Sequence, residues 1–326
     1  MFRVTVIGAT VVDLIFELPS SVADLAAQQG YWRLGLGEKI RGRSHLSVGG
    51  TGANVAVGLS RLGLNVTFQT PLSKDALGRL LEQRLKEEGV RLIEQKMSGS
   101  PPLSVILPTQ ADRTIITDNQ TSQDFPIGQW PEDGWLHLGS LAPESADIYL
   151  QVVNHLMKSG QPLSLNPSQE MFLAKPRPFR LALAKTTALF LNRQEGLALT
   201  GSPRAVSSRD LARAILRFGP KIICLTDGAQ PAQVVTREES LSAKALTPPG
   251  RCVDATGAGD AFTSGFLGEL IRAQRLIFNR ALLIQALRLA MANSGSVVLS
   301  LGAQAGLLNY RQAPEQGKLV RIEDDD

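Results

Sequence analysis

Cysteine is scarce in this sequence: Cys224 and Cys252 are the only two in 326 residues. Two thiols supply neither a metal-site spacing nor a disulfide framework, and both sit in apolar, strand-like surroundings, where a thiol serves as a small core residue. Aromatic residues make up 5% of the chain, and its 34 Lys and Arg, against 30 Asp and Glu, are scattered without a basic block. The stacking surfaces and concentrated positive charge that nucleic-acid binding needs are therefore missing. The slight positive balance, formally +4, suits small anionic substrates such as nucleotides. No apolar run approaches the ~18 residues of a membrane span. The chain enters the strand-like Val4-Thr5-Val6-Ile7-Gly8 without the charged segment and cleavage site of a secretory signal, so a cytoplasmic protein with no membrane or nucleic-acid partner is expected. Absent too is Gly-x4-Gly-Lys-Ser/Thr, which excludes a P-loop enzyme. No Gly-x-Gly-x-x-Gly follows the first strand, where Gly8 stands alone, and this speaks against a dinucleotide-binding oxidoreductase.

What is present is an ordinary globular composition, 43% hydrophobic and 20% charged, with ample material for a core. Helical periodicity over 143–158, 177–185, 193–199 and 208–218 alternates with strand-like runs at 162–166, 187–191 and 221–226. This rhythm predicts an α/β fold with a doubly wound, mostly parallel sheet flanked by helices. Ligands then belong at the carboxyl ends of the strands, where Asn166, Asn192, Thr226 and Asp227 fall. Residues 3–15 read as a buried strand ending in Gly8-Ala9-Thr10 and then Asp13, set among Val11, Val12, Leu14 and Ile15; a carboxylate there needs partners, either backbone amides or a ligand. The pattern loosens from Phe16 to Val48, with short extended pieces at 31–34 and 45–48, and a hairpin is expected over 103–108 and 113–118. These stretches, about 16–48 and 100–120, cannot form a core of their own and should project as a small sheet from a single 326-residue domain. His137 alternates with leucines and reads as a core histidine. The closing Asp324-Asp325-Asp326 reads as a solvated tail.

Three local patterns carry chemistry. The first is Asp254-Ala255-Thr256-Gly257-Ala258-Gly259-Asp260-Ala261-Phe262, placed between a strand-like run and turn (243–253) and a helical segment (261–276). The amides of Gly257, Ala258 and Gly259 can converge on an anion at the start of the helix, where the helix dipole assists. Asp260, in the first turn, then serves as a base toward an attacking hydroxyl; the alternative is a tight bend with Asp260 as helix cap. The second is Gly49-Gly50-Thr51-Gly52-Ala53-Asn54, leading into a helix that ends at Leu62-Gly63. Glycine costs a helix about 1 kcal/mol relative to alanine, so the cluster implies close approach, of a ligand or of a packed sheet. The third is Asn192-Arg193-Gln194-Glu195, an amide and a carboxylate one turn apart, suited to a hydrated Mg²⁺ and its phosphates or to a capping box.

In their order, these motifs resemble the two signatures and the Asn-x-x-Glu motif of the ribokinase/PfkB family of carbohydrate kinases, and the resemblance spans essentially the whole chain. It implies a ribokinase-like fold with a small β lid and transfer of the ATP γ-phosphate to a hydroxymethyl group of a sugar. Asp260 would be the base and the Gly257–Gly259 backbone the anion hole. It further implies sugar contacts from Asp13, Gly50 and Asn54, and nucleotide contacts from Asn192, Glu195, Thr226 and Gly228. Mg²⁺ would be held by Glu195 through water, K⁺ by Asp254 and the Thr256 carbonyl, and a homodimer would form through the lid. The chain departs from the family pattern at Ala255, usually Thr, at Val11, often Asn, at Pro231, usually Gly, and at Met291, usually Asn or His. A nucleoside kinase of the same family and a catalytically silent sugar-binding regulator are the alternatives.

Overall fold

The computed structural model describes residues 2–96, 99–109, 113–118, 127–246, 252–274 and 277–324. In chain order, the first half comprises β1 (Arg3–Ile7), β2 (Val11–Glu17), α1 (Ser20–Gln29), β3 (Arg43–Gly49), α2 (Thr51–Arg61), β4 (Asn65–Leu72), α3 (Ala76–Glu87), β5 (Arg91–Lys96), β6 (Leu103–Pro108) and β7 (Arg113–Thr117). The second half comprises β8 (Trp135–Leu138), α4 (Asp147–Ser159), β9 (Leu163–Leu165), α5 (Gln169–Ala174), α6 (Pro176–Leu183), β10 (Ala188–Asn192), α7 (Arg193–Thr200), α8 (Ser208–Leu216), β11 (Ile222–Asp227), β12 (Gln230–Val235), β13 (Ser240–Ala243), α9 (Ala258–Ala273), α10 (Arg280–Val297), α11 (Ala313–Gly317) and β14 (Ile322–Asp324).

The strands form a large sheet in the order β14-β13-β12-β11-β10-β9-β8-β1-β4-β5. Pairing is parallel from β5 to β11 and antiparallel from β11 to β14. Buried strands with apolar residues on both faces need helices on both sides, and the core divides accordingly. Leu189, Leu191 and Ile223 pack with Tyr149, Phe179 and Leu211 of α4, α6 and α8. Their neighbours Ala188, Phe190 and Cys224 pack with Val55, Phe266 and Leu287 of α2, α9 and α10. The chain runs from β1 to β4 and β5 on one side, then returns to β8 on the other. The strand order thus reverses between β1 and β8, which is where an open α/β sheet leaves a crevice beyond the strand ends. Gly52, in the first turn of α2, meets those ends: a Cβ on it would lie 2.8 Å from Gly8 Cα, and one on Gly139 would lie 3.1 Å from Gly52 Cα. Only glycines let α2 sit this close to the crevice.

The small sheet has the order β3-β2-β6-β7 and separates its residues by strand alternation. One row across it is Ser47, Asp13, Ser104 and Thr117; the next is Leu46, Leu14, Val105 and Ile116. The polar row turns toward the body of the protein, since a Cβ on Gly302 would lie 3.4 Å from Ser47 Oγ. Leu46 and Ile116, each 57% exposed, lie on the opposite face.

Several expectations are corrected here. The strand expected in 3–15 ends at Ile7, just before Gly8-Ala9-Thr10 as read, but the apolar run around Asp13 forms a second strand in the other sheet, because an apolar run reads alike whichever sheet receives it. The loose region contains a helix, α1; only Ala26 of it is buried, so it lacks the apolar stripe that marks a helix in sequence. No strand forms at 31–34, and β3 takes up the piece at 45–48. Of the strand-like run and turn at 243–253, the strand part ends at Ala243, 244–246 and 252–253 are loop, and 247–251 lie outside the described residues. Asp324 is not tail but pairs with Leu241 in β14, while Asp325 and Asp326 lie outside the described residues. The tip of the hairpin, 110–112, also lies outside them, but its arms pair as expected, Ser104 with Thr117 through Pro108 with Arg113.

Candidate active site

At the start of α9 the chain turns through Gly257, which is the N-cap with φ +79°. A Cβ there would come within 2.5 Å of the Ala303 side chain, so both conformation and space require glycine. Gly259 is exposed, and nothing lies within 4 Å of where its Cβ would be; the helix start opens onto empty space. The first amides of a helix have no intrahelical acceptor. Of the three expected to converge, that of Ala258 is turned back on the Ala255 carbonyl at 3.3 Å.

Asp260 follows in the first turn and does not cap the helix. Its Oδ2 accepts from Asn54 Nδ2 at 2.8 Å, and its Oδ1 accepts from Asn166 Nδ2 at 3.5 Å. Asn54 stands on α2 and Asn166 just beyond β9, so elements from both halves of the chain hold this carboxylate. Burial pushes its pKa up to about 7; the Asn54 hydrogen bond and the Arg113 charge pull it down, and the Glu195 charge pushes it up. A carboxylate that titrates near neutrality, with two fixed donors, is matched to taking up a proton in mid-reaction. The other face of the Asn54 amide is engaged as well, since its Oδ1 accepts from Gln304 Nε2 at 2.9 Å.

Asp13 is 6% exposed, and among the described residues no donor bonds its carboxylate. Burial raises its pKa to about 7, with the Asp254 and Asp260 charges adding to the effect. A Cβ on Gly49 would lie 1.9 Å from Asp13 Oδ2, so the first glycine of the Gly-Gly pair makes room for this side chain. Gly50, with φ +93°, turns the chain into α2 against the Ala9 carbonyl, 2.6 Å from where its Cβ would be. The glycine cluster therefore answers packing within the chain at Gly50 and Gly52, and clearance for a carboxylate at Gly49.

Asn192 and Thr226 are register partners at the carboxyl ends of β10 and β11. Asn192 and Glu195 form a complete capping box: Asn192 Oδ1 accepts from the Glu195 amide at 2.9 Å, and Glu195 Oε2 accepts from the Asn192 amide at 2.8 Å. The box does not use up the charge of Glu195, which still reaches Asp260, and burial raises the Glu195 pKa. Gly228, at φ +56°, turns the chain from β11 into β12, and Asp227 pairs with Arg193 at 3.7 Å. Asp254 is buried. Its Oδ1 accepts from the Thr256 amide at 2.9 Å and from Thr256 Oγ1 at 2.6 Å, and its Oδ2 accepts from the Gly302 amide at 2.9 Å. This ties the loop before α9 to the loop after α10.

His137 is fully buried, with Nδ1 2.9 Å from Ser164 Oγ; burial lowers its pKa to about 3, so it stays neutral in the core. Met291 is 6% exposed within the core. Two residues on, Asn293 donates to the Ala261 carbonyl at 2.8 Å and accepts from the Leu308 amide at 2.9 Å, fastening α10 to α9. Asn166 and Gln304 are the site residues that motif reading passes over. Asn166 was legible as a polar residue at a strand end; Gln304 follows Gly302-Ala303 with no pattern of its own.

The pfkB family carbohydrate kinase profile matches residues 1–309. The chain belongs to the pfkB family of carbohydrate kinases. As a pfkB kinase it is ATP-dependent. It is 30% identical over 277 residues to a fructokinase of Klebsiella pneumoniae, a match covering 79% of this chain and 88% of that protein. In fold it is similar to the ribokinase of Giardia lamblia, with a TM-score of 0.81 at 18% identity over 96% of this chain and 99% of that one. It is also similar to the Arabidopsis thaliana ribokinase solved with ribose and ATP, with a TM-score of 0.73 at 21% identity over 97% and 98% of the two chains. The fold of this pfkB kinase is ribokinase-like. Among the described residues no helix is long and apolar enough to cross a membrane.

Proposed function

We propose that this chain transfers the γ-phosphoryl group of ATP to a hydroxymethyl group of a sugar. Asp260 takes the hydroxyl proton, the alkoxide oxygen bonds the γ-phosphorus, and the bond to the bridging oxygen of ADP breaks. The observation that carries this reading is the Asp260 carboxylate, poised near neutrality and held by two amides beside the open helix start at Gly259. The amides of Gly257 and Gly259 stabilise the charge of the group in transfer. Asp13, buried with no donor among the described residues, awaits hydroxyl donors from the sugar, and this favours a polyol over an apolar acceptor. Asn192, Thr226 and Gly228 line the nucleotide side at the ends of β10 and β11. Glu195 holds Mg²⁺ through water; that ion neutralises phosphate charge when bound. Asp254 and the Thr256 carbonyl hold K⁺.

The whole chain acts as one domain, with the small sheet as a lid: its polar row faces the acceptor, and its apolar row, Leu46, Leu14, Val105 and Ile116, meets a second copy. The test is ADP release from ATP against pentoses, hexoses, their phosphates and nucleosides. Turnover with a free sugar supports the reading; turnover with nucleosides alone moves the acceptor class, and none at all leaves a sugar-binding regulator. Light scattering at micromolar concentration reads the dimer.

A further inference from the structure

The Asn54 amide can present either its NH₂ or its oxygen to Asp260, and only one orientation serves a base. With Nδ2 toward Asp260 the carboxylate receives a hydrogen bond, as observed at 2.8 Å; with Oδ1 toward it, two acceptors face each other unless Asp260 is protonated. Asn54 is 4% exposed, so no bulk water offsets the wrong choice. The orientation is set from behind, where Gln304 Nε2 donates to Asn54 Oδ1 at 2.9 Å. The Gln304 main chain is itself clamped: Arg61 Nη1 donates to the Gln304 carbonyl at 2.7 Å and to that of Leu307 at 3.2 Å. The rest of the Arg61 guanidinium forms a fork with Glu88, both bonds at 2.7 Å. A planar guanidinium with all three nitrogens engaged has little freedom to move.

We propose that Gln304 is a positioning residue: by donating to Asn54 it fixes the amide orientation that keeps Asp260 an anionic proton acceptor, while touching neither ATP nor sugar. The inference rests on Asp260 as the base of the proposed reaction. Gln304→Glu and Gln304→Met test it. Glutamate at 304 accepts instead of donating, so Asn54 turns its NH₂ to position 304 and its oxygen to Asp260. Methionine is of similar length, removes the donor and imposes no new orientation. Loss of a hydrogen bond to a charged group in the reacting site corresponds to about 10- to 100-fold in rate. We expect Gln304→Glu to lower kcat by that factor with the KM values for ATP and sugar within twofold, and Gln304→Met to lower it several-fold less. In an Asn54→Ala background, where there is no amide to turn, Gln304→Glu should add nothing.

Equal rates in the two variants with equal losses of melting temperature, or an undiminished effect of Gln304→Glu in the Asn54→Ala background, overturn the proposal. A readout independent of turnover separates this from failure of the kinase reading. The Asn54 side-chain amide resonances, identified by their loss in Asn54→Ala, should move in Gln304→Glu and much less in Gln304→Met. If they move alike, the orientation argument fails even for an active kinase. If they move as stated and no acceptor is phosphorylated, the relay stands and the reaction assignment falls.

Discussion

Replacing Asp260 with asparagine separates its chemistry from its packing. Asparagine keeps the size of the side chain, and its oxygen can still accept from Asn54 at the observed 2.8 Å. Only the long 3.5 Å contact from Asn166 is set NH₂ against NH₂, a small structural loss. What disappears is the proton acceptor, worth ~10²–10⁴-fold in turnover. Stability should move the other way. The folded-state pKa of Asp260 is raised from 3.8 to about 7, so its favourable contribution is complete below the unfolded pKa and is lost as pH rises through about 7. A rise of that size corresponds to at most about 4 kcal/mol, and a group in an open cleft keeps less, about 1–2 kcal/mol after solvent screening. Asp260→Asn should therefore melt later than wild type at pH 8 and show little difference at pH 4. The rate of the wild type should fall on acidification through about pH 7. ADP release from pH 5.5 to 8.5 and thermal melts at the two pH values measure both effects. Turnover above a tenth of wild type, or a wild-type rate that is flat across pH 7, refutes the base assignment; a melting difference independent of pH refutes the electrostatic account.

Asp13→Ala should weaken sugar binding by at least about tenfold, since a buried acceptor contact is lost, and leave ATP affinity within about twofold; titration calorimetry with each substrate reads this, and the opposite pattern reverses the two sides of the cleft. Glu195→Gln keeps an acceptor for the Asn192 amide, so α7 stays capped and the Mg²⁺ requirement should rise with little change in sugar KM; superimposable magnesium titrations leave Glu195 a cap and nothing more. Asp254→Ala removes the acceptor of three buried donors and should cost about 2–4 kcal/mol in urea unfolding. The wild-type rate should exceed in K⁺ its value in a bulky organic cation at matched ionic strength; equal rates reject the cation at Asp254 and Thr256.

The parallel core was legible in the sequence because the apolar strands and amphipathic helices of 143–226 each carry their own period, and a buried parallel strand reads as an unbroken apolar run. The strand order, and so the crevice between β1 and β8, is a non-local fact that no period encodes. The same limit explains why the run around Asp13 was not read as a strand of a second sheet: β1 and β2 are both apolar, and nothing local says which sheet receives the chain after Gly8-Ala9-Thr10. In the site, Asp260 was legible because the whole run 254–262 resembles a family signature; glycines at a helix start by themselves left the helix-cap reading open. Its partners were not: Asn54 lies 206 positions away along the chain and Asn166 lies 94, and only the fold brings them to the carboxylate.

The small sheet shows how far a local pattern reaches once register is known. Along β2 alone, Val12, Asp13 and Leu14 offer no reason for a carboxylate between apolar neighbours. Aligned with β3, β6 and β7, Asp13 joins Ser47, Ser104 and Thr117 in one row, and Leu14 joins Leu46, Val105 and Ile116 in the next. A slip of one residue in β2 would send Asp13 to the apolar face and Leu14 to the polar one, so the register of a four-stranded sheet decides whether the proposed acceptor would meet a carboxylate at all. Gly49 belongs to that register: it is the residue of β3 whose missing side chain leaves the Asp13 carboxylate its place, 1.9 Å from where a Cβ would stand. The first glycine signature therefore does its work on both sides of the cleft, clearing space for Asp13 through β3 and bringing Asn54 to Asp260 through α2.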